Sequence, residues 1–355
     1  MIKVGKETDY RKIKALNQSM IKLFDTDPVK FFEQFKMGKK IKDKKSTALQ
    51  LGDLVDFYIL ECQGDEEEFE RRLDEKFSLF QGKKTTAQVF TLADTLFDVT
   101  LENMDGDEIK VSFSARFTEA CKRVKETGRY SGRSEDFMLK DFNDNGYIYF
   151  KNLMDNLGKT VIDEYMISKA RRICTGLLND SFTSGIFSQD LQRKVPIEWK
   201  YVTKEGHKIN CKSEIDLFLV DDENKKLYLY DLKTTYDNEE FMLGYLKNGY
   251  YIQAAFYYIA LTNFAQEHYP GYEVVPMQFI VADTSSNNRR PIIYKTTEED
   301  LKRAMEGFTL CNSSYRGLVP LVEDICWAEE NDKWNVSRET YTNNGVVKLN
   351  LNYGS

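Results

Sequence analysis

The chain reads as an α/β (α+β) protein: a mixed β-sheet with an antiparallel meander, flanked by helices, with a helical N-terminal region and a mostly helical insertion. Three observations predict this. Residues 14–35 and 51–61 carry apolar residues at helical spacing. After residue 190 come three β-rich runs, VPIEWKYV, INCKSEIDLFLV and KLYLYDLKTT, separated only by short polar turns. A helix-patterned stretch at 239–264 then leads into further strand-like runs, giving the order β-β-β-α-β.

Composition sets the outer limits. A chain of 355 residues, 41% of them hydrophobic, is long enough to bury a core without a disulfide or metal staple. Aromatic residues at 13% argue against disorder, and 20 Gly with 6 Pro exclude collagen-like and low-complexity classes. No apolar run is long enough to span a bilayer. The opening MIKVGKETDYRK has no apolar signal-peptide core, so a soluble, cytoplasmic protein without membrane contact is expected. The cysteines Cys62, Cys121, Cys174, Cys211, Cys311 and Cys326 form no CxxC pair, which fits neither a zinc knuckle nor an iron–sulfur cluster; reduced, mostly buried thiols are expected. With only His207 and His268, a His-rich metal site or a Ser-His-Asp triad is disfavoured. Chemistry here falls to carboxylates, lysine and tyrosine. A net charge of −7 by itself disfavours a nucleic-acid binder. The run FKMGKKIKDKK (Lys36, Lys39, Lys40, Lys42, Lys44, Lys45) reads either as a solvated loop or as a phosphate-binding arm.

Taken in order, residues 1–62 form a helical region in which Asp27-Pro28 marks a turn and helix start, and LGDLVDFYILE (51–61) a short buried helix. Residues 63–189 form the insertion. Within it, 150–178 reads as one amphipathic helix that Asn156 or Gly158 interrupts. Residues 190–310 hold the meander, with turns at Lys204-Glu205-Gly206 and Asp221–Lys225. After these come the 239–264 helix, the strands MQFIVAD and PIIYKTT, and a helix capped at Thr297 with acidic Glu298, Glu299 and Asp300 behind it. Residues 311–355 form a C-terminal extension, and the whole is expected to be one integrated domain.

The chemistry concentrates in the meander. In KLYLYDLKTT, Leu227, Leu229, Asp231 and Lys233 share one face of a strand. A hairpin turning near Asp222-Glu223 pairs residues whose numbers sum to about 445–447, which sets Asp216 opposite residues 229–231. Two carboxylates opposed on apolar strands repel and are costly to bury unless a cation lies between them. Mg²⁺ suits that role, with Lys233 beside it to orient or deprotonate an attacking water and the Leu232 carbonyl as a further hard oxygen. Downstream, Gln253 and Tyr257 stand four apart on a helix and so share a face.

The pattern Asp216-x₁₄-Asp231-x-Lys233 followed by Gln253-x₃-Tyr257 resembles the PD-(D/E)xK nuclease superfamily, in its RecB-like and RecE-like (lambda-type) exonuclease branch. LNQSMIKLFDTDPVKFFEQF and TALQLGDLVDFYILE are similar to that branch's entry motifs. The resemblance implies a restriction-endonuclease-like core in which Asp56, Asp216, Asp231 and the Leu232 carbonyl hold one or two Mg²⁺ or Mn²⁺ ions. It also implies that Asp216, Asp231, Lys233, Gln253 and Tyr257 form the catalytic set. The family carries His where this chain has Asp56; the Asp either replaces it as a harder ligand or marks a lost one, and replacement is the reading adopted. Glu198 stands where a supporting Glu often occurs, inside or outside the site. The implied activity is Mg²⁺-dependent DNA exonucleolysis of the recombination type, phage-encoded and working in the bacterial cytoplasm, with a homo-oligomeric ring and a single-strand annealing partner. Lys39, Lys40, Lys42, Lys44, Lys45, Arg171, Arg172 and Arg193 would then form the DNA track. Alternatives are a structure-specific or defence-related endonuclease on the same core, and a catalytically inactive DNA-binding or virion-associated scaffold. No nucleotide is expected, because the chain lacks a P-loop.

Overall fold

The structure, a computed structural model, describes residues 10, 12–39, 46–82, 87–106, 108–285 and 289–347. The chain divides into two compact units. One combines the described residues up to Gly64 with those from Arg172 onward, and the other is Asp65–Arg171.

The first unit begins with helix α1 (Gln18–Thr26), whose first turn is closed by Asn17 Oδ1 accepting the Met20 N–H at 3.0 Å. Asp27 ends it and starts the next turn, with its carboxylate accepting the Lys30 N–H at 2.8 Å and Pro28 in the first helical position. Helix α2 (Thr47–Asp56) is capped by Ser46 and runs straight into a single π-helical turn, Phe57–Glu61, buried at Phe57, Tyr58, Ile59 and Leu60.

The six-stranded sheet has β1 (Gln192–Val202), β2 (Lys208–Asp221), β3 (Lys226–Thr235), β4 (Gln278–Asp283) and β5 (Ile292–Lys295) in spatial order β5-β4-β3-β2-β1, and a two-residue strand, Glu273–Val274, pairs in parallel with the start of β3. The first three strands form the expected antiparallel meander. β3 and β4 are parallel, so the chain must cross over between them. The crossover contains a short helix, Phe241–Lys247, and helix α3 (Tyr250–His268). The sequence predicts one helix over 239–264; instead Gly249 takes a left-handed backbone, φ 61°, and restarts the helix in a new direction. A continuous aromatic pattern on either side hides this break.

Helix α3 is buried against β1 and β2 through Trp199–Phe256 and Phe218–Phe264 ring contacts, at 4.9 and 6.1 Å between centroids. Helices α4 (Glu298–Glu306), held by a Thr297/Asp300 capping box, and α5 (Leu318–Asn331) complete the layer. Beyond α5, Trp334 stacks on Phe31 and Phe32, so the C-terminal extension returns to the N-terminal helices.

The second unit is mostly helical. The Ala87–Glu102 and Phe113–Glu126 helices share a core of Leu92, Leu96, Val99, Phe117 and Phe142. The helix predicted over 150–178 is interrupted at Asn156 and left-handed Gly158, as the sequence suggests. What it did not show is the strand at Thr160–Ile162, paired in parallel with Phe77–Leu79, between Tyr147–Asp155 and the Glu164–Asn179 helix, which runs on past the end of this unit. The β-branched run Thr160-Val161-Ile162 favours extended backbone over helix there. Cys62, Cys121, Cys174, Cys211 and Cys326 are buried thiols outside any disulfide, and Cys311 is an exposed one. No helix among the described residues is long and apolar enough to cross a membrane.

Candidate active site

The β2–β3 hairpin turns over Asp221–Lys226, where the Asp221 carboxylate accepts the Asn224 N–H at 2.9 Å. Its ladder ends at Leu217 against Tyr230, the pair next to Asp216 and Asp231. The two acids come close enough on neighbouring strands for the charge of Asp216 to act on Asp231, which is only 2% exposed. Cations and amides answer their repulsion. Asp216 Oδ1 accepts from the Lys194 ammonium at 3.0 Å and Oδ2 from the Leu232 backbone N–H at 3.2 Å. Asp231 Oδ1 accepts from Gln253 Nε2 at 2.5 Å, while its Oδ2 is held by the Lys233 ammonium.

Asp56 arrives from the helix. Gly52 lies against β3, where a Cβ would sit 3.1 Å from the Thr234 hydroxyl oxygen, so the missing side chain lets α2 rest close to the strand. One turn later on the same face comes Asp56, at the junction of α-helix and π-turn, a distortion that recurs at functional sites. Burial and the charge of Asp216 push its carboxyl up to about 8. Burial also lifts Asp231, to about 6. Asp216 goes the other way: burial opposes its charge, but the Lys194 and Lys233 ammoniums hold it below the usual range.

Burial alone would discharge Lys233, but Asp231 and Asp216 hold it up to about 12. Its ammonium stands 4.9 Å from the centre of the Tyr250 ring, and Lys22 of α1 stands 5.3 Å from the same ring. Burial and the neighbouring Lys233 charge lower Lys22 to about 8. Tyr257, one turn after Gln253, keeps its phenolic proton strongly, through burial and the negative charge of nearby acids, Asp231 and Asp216 among them. Asp56, Asp216, Asp231, Lys233, Gln253 and Tyr257 thus belong to one electrostatic neighbourhood, and Leu232 enters it through its backbone N–H.

Other residues singled out in the sequence lie elsewhere. Glu198 pairs with Lys212 across β1–β2, four residues along the strand from Lys194, a separation of about 13 Å. Lys39 is paired with Glu33 at 2.9 Å; Lys40, Lys42, Lys44 and Lys45 lie outside the described residues. Arg171, in the second unit, is bound to Glu66 and Glu70 at 2.6 and 2.7 Å. Arg172 donates to the Ser285 carbonyl and Arg193 to that of Leu191. No continuous basic track emerges from these described residues.

Two cations escaped the sequence reading, Lys194 and Lys22. For Lys194 a signal existed: extending the hairpin arithmetic to the β1–β2 turn sets it opposite Asp216, between the Arg193–Leu217 and Val195–Ile215 pairs. For Lys22, helical spacing offered none.

Among the described residues, no three carboxylate, histidine or cysteine side chains already form a metal cage. The donors nonetheless suit Mg²⁺ or Mn²⁺, since Mg²⁺ is usually held by one or two carboxylates and keeps several waters. Burial first, and then the charge of Asp216, hold the Asp56 carboxyl toward its acid form, a cost that a dication beside these oxygens would relieve. Asp216 and Asp231, with Asp56 and the Leu232 carbonyl, are the residues that would hold it. No protein-family model matches the chain, and no curated protein matches it.

Proposed function

We propose that the chain is a Mg²⁺-dependent deoxyribonuclease with a PD-(D/E)xK, restriction-endonuclease-like core, acting as an exonuclease on linear DNA. One observation supports the reading: Asp216 and Asp231, from neighbouring strands of a hairpin, act on each other electrostatically, with Lys233 and Gln253 on Asp231 and Asp56 brought in beside them. A buried group of this kind is expensive for folding alone, which favours a chemical role.

When bound, Mg²⁺ or Mn²⁺ would polarise the phosphodiester and acidify an attacking water. The side chains supply the rest. Lys233, held cationic, does not remove a proton at neutral pH; it stabilises the negative charge that grows on the phosphoryl oxygens and orients the nucleophile. Gln253 fixes the rotamer of Asp231. Tyr257, keeping its proton, is a hydrogen-bond donor to a phosphate oxygen of the scissile strand. In-line attack at phosphorus would leave a 5′-phosphate and a 3′-hydroxyl.

The test is a time course on end-labelled linear duplex with Mg²⁺, using wild type and Lys233→Ala. Wild type is expected to release nucleotides from the ends, and the variant to be slower by roughly a hundredfold or more. Equal cutting of covalently closed circles would replace the exonuclease reading with an endonuclease. Wild-type protein inert with Mg²⁺ and Mn²⁺ on every DNA form would leave the inactive scaffold.

A further inference from the structure

Lys194 is the least ordinary residue of the sheet. It sits in edge strand β1 with φ 51°, the left-handed region that a long side chain seldom adopts and that strains the backbone. Its neighbours Arg193 and Val195 keep regular pairing with Leu217 and Ile215, so the distortion is confined to the one residue facing Asp216. The twisted backbone delivers an ammonium to Asp216 Oδ1 at 3.0 Å and to within 3.8 Å of Glu214, with the side chain 23% exposed. Irregular backbone at a sheet edge beside a charged centre is a familiar device for re-aiming a side chain.

We propose that Lys194 is a positioning residue that serves as the resident counter-cation of the acidic centre, holding Asp216 until a divalent ion takes over the same carboxylate. This rests on the reading of that centre as a divalent-cation site. An ammonium 3.0 Å from Asp216 Oδ1 and a dication on the same carboxylate repel one another strongly, so the two compete. Lys194 therefore stabilises the protein where divalent ions are scarce and weakens its affinity for them. Metal entry moves the ammonium off Asp216, with Glu214 as its remaining partner. A lysine that merely braced the strand would do the opposite, since its loss would disorder Asp216 and weaken metal binding.

The experiment follows thermal unfolding of the full chain across a Mn²⁺ titration for wild type, Lys194→Asn, Lys194→Gly and Lys194→Arg, with Asp216→Asn as control. Asn and Gly tolerate the left-handed backbone, so they remove the ammonium without adding strain. Both are expected to melt below wild type without Mn²⁺ and to reach half-saturation at roughly tenfold lower Mn²⁺; Lys194→Arg should track wild type. A neutral variant that is unfolded without metal and recovered by Mn²⁺ supports the proposal as well. Neutral variants that need as much Mn²⁺ as wild type or more, or that stay unfolded at every concentration, overturn it. If wild type itself shows no Mn²⁺-dependent shift and Asp216→Asn changes nothing, the cation-site reading falls, and this proposal with it.

Discussion

The two units of the chain differ in where their ion pairs lie, although the second also buries one cation, Arg116, against Thr100. In the Asp65–Arg171 unit, ion pairs sit at the surface: Arg123 reaches Glu102 and Glu119, each at 2.8 Å, with its side chain 37% exposed, while the core beneath is largely apolar. In the other unit Asp231 is almost wholly buried, Asp216 nearly so, and Lys194, Lys233 and Lys22 are drawn in around them. Exposed pairs are nearly neutral for stability, whereas buried ones cost desolvation that only good geometry offsets. The contrast separates charge that solubilises a surface from charge retained at a cost, and the second kind marks where chemistry is to be sought.

Removing one partner from each kind of pair sharpens this. Lys233→Met strands the Asp231 carboxylate in the interior and should destabilise the protein by about 3 kcal/mol at pH 8 in urea unfolding. The loss should shrink as pH falls from 8 toward 6, because Asp231, lifted to about 6 even beside Lys233, takes up a proton more readily once that ammonium is gone. Adding Asp231→Asn to Lys233→Met should recover part of the loss, as a double-mutant cycle would register.

An effect of opposite sign is expected at Asp56. Its pKa rises from an ordinary 3.8 to about 8 in the fold, so the folded state holds the proton more tightly than the unfolded chain. Between those values folding takes up a proton, and stability falls as pH climbs from about 4 toward 8. Without divalent ions, Asp56→Asn should therefore unfold at higher urea than wild type at pH 8, with the gap closing toward pH 5. A wild type that gains stability over that range, relative to the variant, would remove Asp56 from the acidic neighbourhood.

The smallest effect belongs to the surface. Arg123→Ala should change stability by less than about 1 kcal/mol despite breaking two ion pairs. A larger loss would show that the second unit also depends on its charges and would blur the comparison.

How much of this could be read from the residues follows from how local each signal is. The nearness of Asp216 and Asp231 was legible because the polar turn Asp221–Lys225 fixes the hairpin register, and period-two alternation carries it along the strands. Asp56 was singled out only through the resemblance of TALQLGDLVDFYILE to the family's entry motif. The place of Lys194 opposite Asp216 was within reach of the same hairpin arithmetic, but its left-handed backbone was not, since lysine has no preference for that region. The break at Gly249 was hidden because apolar aromatic spacing continues on both sides of it. The strand Thr160–Ile162 was masked because its partner, Phe77–Leu79, is far away in sequence. Local periodicity cannot reveal a non-local ladder.

The most direct test of the central claim is a crystal of the full chain soaked in Mn²⁺, with anomalous scattering used to locate the ion. The account expects a peak within ligating distance of Asp216 and Asp231, with Asp56 turned toward it and Lys194 shifted away from Asp216. No peak there at saturating Mn²⁺, or one bound elsewhere with the lysine–carboxylate pairs intact, would contradict it.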